Sequence, residues 1–437
     1  MGNLKKILFI DATLHKKNAT AITLSNLFGS WPKENLFMIG SEEMIHLSKL
    51  EGYKNNYVLD DKDYYHKFPL GFFLNLTRKF RNKYSILKVK SSFENRSNEL
   101  KSVDLSKKFS LRSLFFLFFQ RLGLNHFFFR QIISNELRTW IKKSEPDYFY
   151  TVLSTRHSIL FAEKLVSEFS KPIVIHIMDD WPATIGNETF FYRFWNRIIN
   201  LELRRLLQVT HKKIAISELM AIEYSNRFGG DWLYFHNPVD VSLWSPKITS
   251  KISSVNNFRI LYSGRLSTGV SETIKLVSDV VDNLNDTTNH KVSFQIQSNS
   301  KPGWIDKYRN SYFSYYISYN LLPDLFSSVD LLLLPYDFDG RSFDFIRLSM
   351  PTKVTEYMAS GTPILIVAPI DCALSHLAIK SQFAHIVTTT SFSDLRDNLL
   401  FVLENKELRD FYRSNANSLV NSTFEIKKVQ SAFLEIF

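Results

Sequence analysis

The sequence contains a single cysteine, Cys372, among its 437 residues. This excludes a disulfide framework and any zinc site built on cysteines, as is expected for a reducing compartment. Long apolar runs are also missing: residues 114–119 form one of the longest, far short of the roughly 18 residues that a membrane-spanning helix needs. The opening MGNLKKILFIDAT has too short an apolar stretch for a signal peptide. We therefore expect a cytoplasmic protein that does not span a membrane.

Positive charge and phenylalanine are concentrated in one part of the chain. Between residues 62 and 145, 18 Lys and Arg stand against 6 Asp and Glu, a net charge of +12, where the whole chain carries +11. The same window holds 13 of the 38 phenylalanines. One interpretation is a surface that inserts rings into an anionic membrane; the other is a core-facing stripe beneath a solvated basic face. No recognised motif favours nucleic acid as a partner. The predicted membrane face consists of Arg112, Phe115, Phe118, Phe119 and Arg121.

The rest of the sequence alternates apolar runs with amphipathic patterns, which predicts α/β layers on parallel sheets. The clearest boundary is WLYFHNPVDVSLWSP, where one asparagine and two prolines interrupt regular structure. We predict an α/β protein with two doubly wound Rossmann-like domains: residues 1–242, with a basic, Phe-rich insertion at about 55–130, and residues 250–423. Residues 424–437 are predicted to form a helix that packs back on the first domain. A helical pattern also runs from residue 128 to 143.

The most informative segment is residues 329–369, which contain LLLLPYDFDG, PTKVTEYMASG and TPILIVAP. They predict a buried strand, a polar loop, a short helix and a second buried strand. Lys353 and Glu356 are three residues apart and therefore share one face of the helix. At the carboxyl end of a parallel sheet, a cation and a carboxylate suit the phosphates and hydroxyls of a nucleotide sugar. The alternative is an ordinary ion pair on a solvated helix.

A second strand end, in ILYSGRL, supplies two further candidates. Gly264 would let the backbone approach a ligand closely, and the Arg265 guanidinium offers a fork of donors suited to diphosphate. Alone, this pair is also consistent with a turn and a surface ion pair. Together, Gly264, Arg265 and Lys353 form the predicted donor-phosphate site, and Glu356 is predicted to bind the ribose hydroxyls.

In the first domain, PIVIHIMDDWPAT places His176 near the end of an apolar strand, with Asp179 and Asp180 in the following loop. Polar side chains at this end of a parallel strand lie where such sheets bind ligands. We predict these three as catalytic residues; a core histidine and a simple turn would explain the same pattern. The polar loop after the first strand lacks the Gly-rich dinucleotide fingerprint, so nucleotide binding is assigned to the second domain.

Several motifs resemble, in order, those of GT-B glycosyltransferases of the retaining glycosyltransferase family 4 class, in the bacterial branch that builds surface polysaccharide. These are KILFIDATLHKKNATAITLSNLF, KPIVIHIMDDWP, KKIAISELMAIEYSNRFG with HNPVDVSLWSP, ILYSGRL, LPDLFSSVDLLLLPYD and PTKVTEYMASGTPIL. The resemblance implies two domains facing across a cleft. It also implies an acceptor-side loop at Asn18, Ala19 and Thr20, where Asn18 and Ala19 replace the usual glycines.

The implied activity is transfer of a sugar from a nucleotide diphosphate donor, which is a co-substrate, to a hydroxyl of a lipid-linked or saccharide acceptor. Neither cofactor nor metal is expected, because Arg265 and Lys353 would stabilise the leaving diphosphate. The partners would be the nucleotide sugar, the lipid-linked or glycan acceptor and the inner leaflet of the membrane, and no nucleic acid. The protein would lie in the cytoplasm, peripherally attached to that leaflet, and serve surface polysaccharide or lipopolysaccharide synthesis.

Two departures from the family pattern leave rival functions open. Leu348 stands where a first glutamate is usual, eight residues before Glu356, and Val270 and Ser271 stand where a lysine is usual. Asp337-Phe338-Asp339 could instead be the Asp-x-Asp of a metal-dependent transferase. Two further rivals are a nucleotide-sugar epimerase on the same fold and a non-catalytic sugar- or membrane-binding relative.

Overall fold

The structure is a computed structural model that describes residues 4–66, 118, 121–185, 189–244, 256–266, 269–338 and 340–437. The chain forms two compact units. Unit 1 comprises Met1–Ala215, Ala221–Tyr234 and Ile436–Phe437, and unit 2 comprises Ile216–Met220 and Phe235–Glu435.

Unit 1 is built on a seven-stranded parallel sheet with strand order β3-β2-β1-β6-β7-β8-β9, beside which β4 and β5 form an antiparallel pair. Its strands are β1 (Ile7–Ile10), β2 (Leu36–Gly40), β3 (Asn56–Val58), β4 (Tyr64–His66), β5 (Phe129–Gln131), β6 (Tyr148–Thr151), β7 (Ile173–Ile177), β8 (Lys212–Ala215) and β9 (Leu233–Tyr234). Its helices are α1 (Ala19–Leu27), α2 (Glu42–Leu50), α3 (Leu124–Phe128), α4 (Asn135–Ser144), α5 (Arg156–Phe169), α6 (Trp181–Thr184), α7 (Tyr192–Gln208) and α8 (Glu218–Phe228), the last of which begins in unit 2.

Unit 2 is built on a six-stranded parallel sheet with strand order β12-β11-β10-β13-β14-β15. Its strands are β10 (Asn257–Ser263), β11 (Lys291–Ser298), β12 (Ser311–Tyr315), β13 (Leu331–Pro335), β14 (Ile364–Val367) and β15 (His385–Val387). Its helices are α9 (Val241–Trp244), α10 (Ser271–Thr287), α11 (Leu322–Ser327), α12 (Gly340–Ile346), α13 (Lys353–Ala359), α14 (Ala373–Ser381), α15 (Phe392–Glu404), α16 (Lys406–Leu419) and α17 (Ile426–Leu434), with a π-helical turn at Val420–Phe424.

The apolar strands of unit 2 are buried on both faces of its sheet. Leu331 and Leu333 belong to one core cluster, whereas Leu332 and Leu334 belong to the other. Because side chains alternate across a strand, a strand covered on both faces reads as an uninterrupted apolar run. The run that predicted this strand therefore has a direct structural reason.

Both sheets have a point at which the strand order reverses. In unit 1 it lies between β1 and β6, and in unit 2 between β10 and β13. Ligands of doubly wound sheets bind beside the carboxyl ends of the strands at such a point. The residues that directly follow β1 and β10 are Asp11 and Gly264, so these two positions mark where a site is expected in each unit.

The predicted helix over residues 128–143 is wrong in its first part. The structure ends α3 at Phe128, continues as β5, which pairs with β4, and starts α4 at Asn135. The new helix starts there because the Ser134 side chain accepts a hydrogen bond from the Leu137 amide at 3.1 Å. An apolar periodicity that spans both elements does not reveal this cap.

Candidate active site

Gly264 and Lys353, which the sequence predicted to share a site, lie against each other in unit 2. The Lys353 ammonium donates to the Ser263 carbonyl at 2.9 Å and lies 4.0 Å from the centre of the Tyr262 ring. A Cβ atom at position 264 would be 2.2 Å from Lys353 Nζ and 2.8 Å from the Tyr262 hydroxyl. Only glycine leaves room for the lysine at this strand end, so the backbone turn and the cation form one feature.

Lys353 and Glu356 occupy the first turn of α13, and neither is a solvated surface residue. Glu356 is buried and accepts a hydrogen bond from the Tyr319 hydroxyl at 2.9 Å. Burial lowers the pKa of Lys353 to about 7 and raises the pKa of Glu356 to about 7. Both groups are therefore close to titration at neutral pH, and a bound ligand that carries charge or donates hydroxyls would decide their protonation.

Arg265 follows Gly264 and has an exposed side chain. Its carbonyl accepts a hydrogen bond from the Tyr262 hydroxyl at 2.7 Å, which fixes the backbone at this position. The Arg265 charge acts on Tyr316, whose pKa is raised mainly by burial and lowered in part by the arginine. The exposed guanidinium is therefore near the Tyr316 ring, which is itself 48% exposed, and is accessible to a ligand.

Tyrosines that the sequence analysis missed surround this site. Tyr357 accepts a hydrogen bond from the Ser263 amide at 3.0 Å, while Tyr262 lies beneath the Lys353 ammonium. Tyr316 and Tyr319 come from SYYISYN, which begins with the last two residues of β12 and continues into the loop after it. The high tyrosine content of that short segment is the only signal that the sequence offers. The hydrogen bond from Tyr319 to Glu356, 37 residues away, becomes visible only in the folded structure.

Asp337, the first residue of the Asp-x-Asp tripeptide, caps a helix. One carboxylate oxygen accepts from the Thr273 amide at 2.8 Å and the other from the Gly269 amide at 3.2 Å, at the start of α10. Asp339 lies outside the described residues. Within the part of the chain that the structure describes, no group of three or more His, Cys, Asp and Glu is arranged to hold a metal ion.

Leu348 is fully buried. Its carbonyl accepts a hydrogen bond from the Ser217 hydroxyl at 2.7 Å, and the same hydroxyl accepts from the Met220 amide at 3.1 Å, which caps α8. The position where the family pattern has its first glutamate is therefore occupied by a buried leucine in this chain.

In unit 1, the predicted catalytic residues have different environments. His176 is fully buried on β7, with its Nδ1 atom 2.7 Å from the Tyr150 hydroxyl. Asp180 is also buried: it accepts from the Tyr224 hydroxyl at 2.8 Å, and both its oxygens lie 2.9 Å from Arg227 Nη1. Asp179 is half-buried. The ion pair gives Asp180 a role in the fold, whereas Asp179 is the more accessible carboxylate of the predicted set.

The acceptor-side loop ends in a helix cap. The Asn18 side chain accepts a hydrogen bond from the Ala21 amide at 2.8 Å, and Ala19 and Thr20 form the first turn of α1. Asn18 and Thr20 are half-buried and Ala19 is exposed. Asparagine thus supplies a cap through its side chain where the family pattern has glycine.

Asp11, which directly follows β1, is a candidate that the sequence analysis did not single out. Its φ of +50° is in the left-handed region, where the other non-glycine residues of the described chain are Glu145, Ser170 and Gln382, all helix C-caps. Asp11 has no such local reason. Burial raises the pKa of its carboxyl to about 6, and the Gln131 amide donates to it at 3.3 Å. Strained polar residues at strand ends are typical of functional sites.

The predicted membrane face is described only in part. Phe118 is 58% exposed and Arg121 is exposed, whereas Arg112, Phe115 and Phe119 lie outside the described residues. Among the described helices, none is long and apolar enough to cross a bilayer.

No family model matches the sequence, and no curated protein is significantly similar to it. Solved structures do match over nearly the whole chain. HepE from Anabaena, solved with UDP-glucose, is 14% identical and matches with a TM-score of 0.59, covering 99% of this chain and 98% of that one. Sucrose-phosphate synthase from Thermosynechococcus elongatus is 11% identical, with a TM-score of 0.58 and coverage of 98% and 97%. The chain has the GT-B fold.

A third GT-B structure is WaaG, described as a glycosyltransferase involved in lipopolysaccharide biosynthesis. It is 12% identical, matches with a TM-score of 0.54, and the match covers 98% of this chain and 99% of that one. These structural matches over nearly the whole chain establish the fold class predicted from the sequence, two parallel α/β domains of GT-B type. Sequence identities as low as these establish nothing beyond the fold. Chemistry has to be argued from the residues of this chain.

Proposed function

We propose that the protein is a glycosyltransferase that moves a sugar from a nucleotide diphosphate donor to a hydroxyl of a lipid-linked or saccharide acceptor. The observation that carries the proposal is the arrangement of Gly264, Arg265, Lys353 and Glu356 at the carboxyl end of the unit 2 sheet, beside its reversal point. HepE, a protein of the same fold, was solved with UDP-glucose, which supports a nucleotide sugar as the donor.

The chemistry that these groups supply is stabilisation of a leaving diphosphate. As the bond from the sugar to the phosphate breaks, negative charge develops on the phosphate oxygens. In the free protein, burial lowers the pKa of Lys353 to about 7. The lysine would be protonated next to the developing phosphate charge, and the exposed Arg265 guanidinium would bind the second phosphate. Preorganised donors of this kind each contribute about 3 kcal/mol in the transition state. Arg265→Ala is accordingly expected to lower kcat about a hundredfold.

Glu356 would bind the nucleoside. Its Oε1 atom is occupied by the Tyr319 hydroxyl, and the described residues show no hydrogen bond to Oε2. Carboxylates in doubly wound sheets accept hydrogen bonds from ribose hydroxyls in this way. Unit 1 would hold the acceptor through the residues around His176, Asp179 and Asp11, and because Asp180 is engaged by Arg227, it would support this site indirectly.

Membership of the family 4 class, retention of configuration, metal independence and a role in surface polysaccharide or lipopolysaccharide synthesis are parts of this proposal. Two arguments support metal independence: Arg265 and Lys353 would supply positive charge to the leaving group, and the Asp337 carboxylate is used as a helix cap. Peripheral attachment to the inner leaflet of the membrane, with a lipid-linked acceptor, completes the proposal.

The test is a panel of UDP-, GDP- and dTDP-sugars. The matching donor should raise the thermal stability of the protein, by about 2.7 kcal/mol at a hundredfold excess over Kd, and its sugar should be transferred to a lipid extract of bacterial membranes. Transfer that persists in EDTA supports metal independence, and NMR of the product gives the configuration. Conversion of the donor without acceptor would point to an epimerase, and binding without any turnover to a non-catalytic relative.

A further inference from the structure

An exposed aromatic cluster lies on unit 1, outside the predicted donor site and the predicted catalytic residues. Six apolar side chains, which we call the aromatic patch, are each between 44% and 67% exposed. They are Phe118, Phe127, Phe190, Phe191, Phe194 and Leu201. Apolar side chains that are exposed singly are normal on a protein surface, but a cluster of large rings marks an interaction surface.

The patch is one surface because its two segments are fastened together. The Phe190 amide donates to the Arg121 carbonyl at 2.7 Å, and the Trp195 indole donates to the Leu122 carbonyl at 3.1 Å. The His126 ring lies 5.3 Å from the Trp195 ring. Residues 121–127 are therefore packed along the first turns of α7, which places both groups of phenylalanines side by side.

Helix α7 has two distinct faces. Trp195, Ile199 and Leu203 point into the core of unit 1. On the opposite side, Phe194 and Leu201 are seven residues apart and exposed, with Arg197 between them. Since the helix already buries a complete apolar stripe, the exposed rings do not serve the fold, and the alternation of rings with arginine is that of an interfacial helix.

Charge identifies what covers this surface. Residues 121–131 and 189–201 contain no Asp or Glu, and Arg121, Arg193 and Arg197 are exposed among the rings. Of the acidic residues that flank the second range, Glu188 directly precedes it, outside the described residues, and Glu202 is engaged by the Arg156 guanidinium in an ion pair. With Arg121, Arg130, Arg193 and Arg197 against Glu188, the sequence around the patch keeps a net positive charge. A second copy of the chain would bring like charges face to face, which is unfavourable. An anionic lipid surface instead accepts both the rings and the arginines.

We infer that the aromatic patch docks unit 1 on a bilayer that carries anionic headgroups. The patch lies beside the predicted acceptor side of the sheet, because Asn196 and Asn200 of α7 both donate to the Pro182 carbonyl, two residues after Asp180. It differs from the membrane face predicted from the sequence, with which it shares only Phe118. The inference deepens the proposed function by assigning its lipid surface, yet binding to lipid can be measured without any turnover.

The experiment is co-flotation of the full chain with phosphatidylcholine vesicles that contain or lack 30% phosphatidylglycerol, a content of about one-third that gives a strong surface potential. The wild type should float with the anionic vesicles only, and binding should weaken with salt.

Phe191→Ser/Phe194→Ser should lower the partition coefficient about tenfold or more. Arg193→Gln/Arg197→Gln should lower it about fivefold for each arginine. The matched control is Phe401→Ser/Phe411→Ser, which removes equally exposed rings from unit 2 and should float like the wild type.

Circular dichroism and thermal melts establish that each variant is folded. Failure of the wild type to float, or unchanged flotation of both patch variants, would overturn the inference. So would a wild-type dimer in light scattering that the phenylalanine variant dissociates, because the patch would then be a protein interface. The thermal shift with the matching nucleotide sugar should be the same in all variants. If that shift is missing in the wild type while flotation depends on the patch, the proposed function fails and the lipid surface stands.

Discussion

The Lys353 ammonium occupies the space that a side chain at position 264 would need: a Cβ there would be 2.2 Å from Nζ. The end of strand β10 and the start of helix α13 are 90 residues apart in sequence. The Ser263 carbonyl oxygen of β10 nevertheless accepts a hydrogen bond from Lys353 Nζ of α13 at the candidate donor site. Gly264 is therefore required by a close approach within the protein as well as by any approach of a ligand. A pair of this kind can be tested from either side.

Gly264→Ala should displace the lysine from the Ser263 carbonyl. Because the methyl group meets the flexible end of Lys353 and also the hydroxyl of the buried Tyr262 ring, we expect a loss of stability of about 1–3 kcal/mol, as overpacking commonly costs. Donor binding should fall about tenfold or more, since the cation leaves its position. Isothermal titration with the matching nucleotide sugar measures this. Gly303→Ala, at a glycine with open space around it, is the control and should change neither quantity, and equal affinities for all three proteins would contradict the assignment.

Donor binding should depend on pH through Lys353. Burial holds the pKa of this lysine at about 7 in the free protein, and a neighbouring diphosphate favours the charged form. Binding should therefore take up a proton above pH 7, and affinity should decrease by up to about tenfold per pH unit between pH 7 and 9. A nucleotide sugar is the right probe because its diphosphate has no terminal group to titrate. Calorimetry in two buffers of different ionisation enthalpy measures the proton uptake.

Glu356→Gln is the informative companion to that titration. The charge of Glu356 raises the pKa of Lys353, so its removal should shift the affinity profile to lower pH. Lys353→Arg keeps a charge at all of these pH values and should give a flat profile, even if its bulkier head binds less tightly. A flat profile in the wild type would mean that Lys353 does not titrate on binding.

Asp180 is expected to stabilise unit 1 rather than to react. Asp180→Ala removes the buried acceptor of both Arg227 and the Tyr224 hydroxyl. Because the half-buried Arg227 keeps its 2.7 Å ion pair with Glu223, we expect a loss of about 1 to 3 kcal/mol. Urea unfolding should show that loss. The double variant Asp180→Ala/Arg227→Ala should lose less stability than the sum of the losses of the two single variants. The half-buried Asp179, changed to Asn, should lower the urea midpoint less than Asp180→Ala does. If Asp180→Ala kept full stability and lost all transfer, its predicted catalytic role would be restored.

The sequence predicted what depends on local patterns. Continuous apolar runs marked β13 and β14 because both faces of the sheet are covered, and the spacing of Lys353 and Glu356 placed them in one turn. What it missed depends on partners far along the chain. Asp180 is paired with Arg227 47 residues later, and Asp337 caps a helix that begins 66 residues earlier. Neither separation corresponds to a helical or strand period, so the periodicity of the sequence cannot reveal these two contacts.

The exposed rings of α7 were missed for a different reason. Their sequence, FFYRFWNRIINLELRRLL, reads correctly as an amphipathic helix, and such a pattern predicts a buried face without saying which phenylalanines lie on it. Helical phase alone leaves Phe190, Phe191 and Phe194 as either core or surface. Only the packing of residues 121–127 against Trp195 determines that these rings stay outside.

Asp11 is expected to lower stability in exchange for function. The pKa of its carboxyl is about 6 in the folded protein and 3.8 in the unfolded chain. Between these values the folded state binds more protons, so wild-type stability should decrease as pH rises from 4 to 6 and stay lower above it. Asp11→Asn should therefore be more stable than the wild type at pH 8 and equally stable at pH 4, as measured by thermal melts. The exposed Asp231, changed to Asn, should show no such difference.

Transfer to the acceptor should fall at least tenfold in Asp11→Asn while donor binding to unit 2 stays unchanged, because the strained carboxylate at the reversal point of the unit 1 sheet would no longer contact the acceptor hydroxyl. Full transfer by this variant would leave the left-handed Asp11 without a part in the reaction.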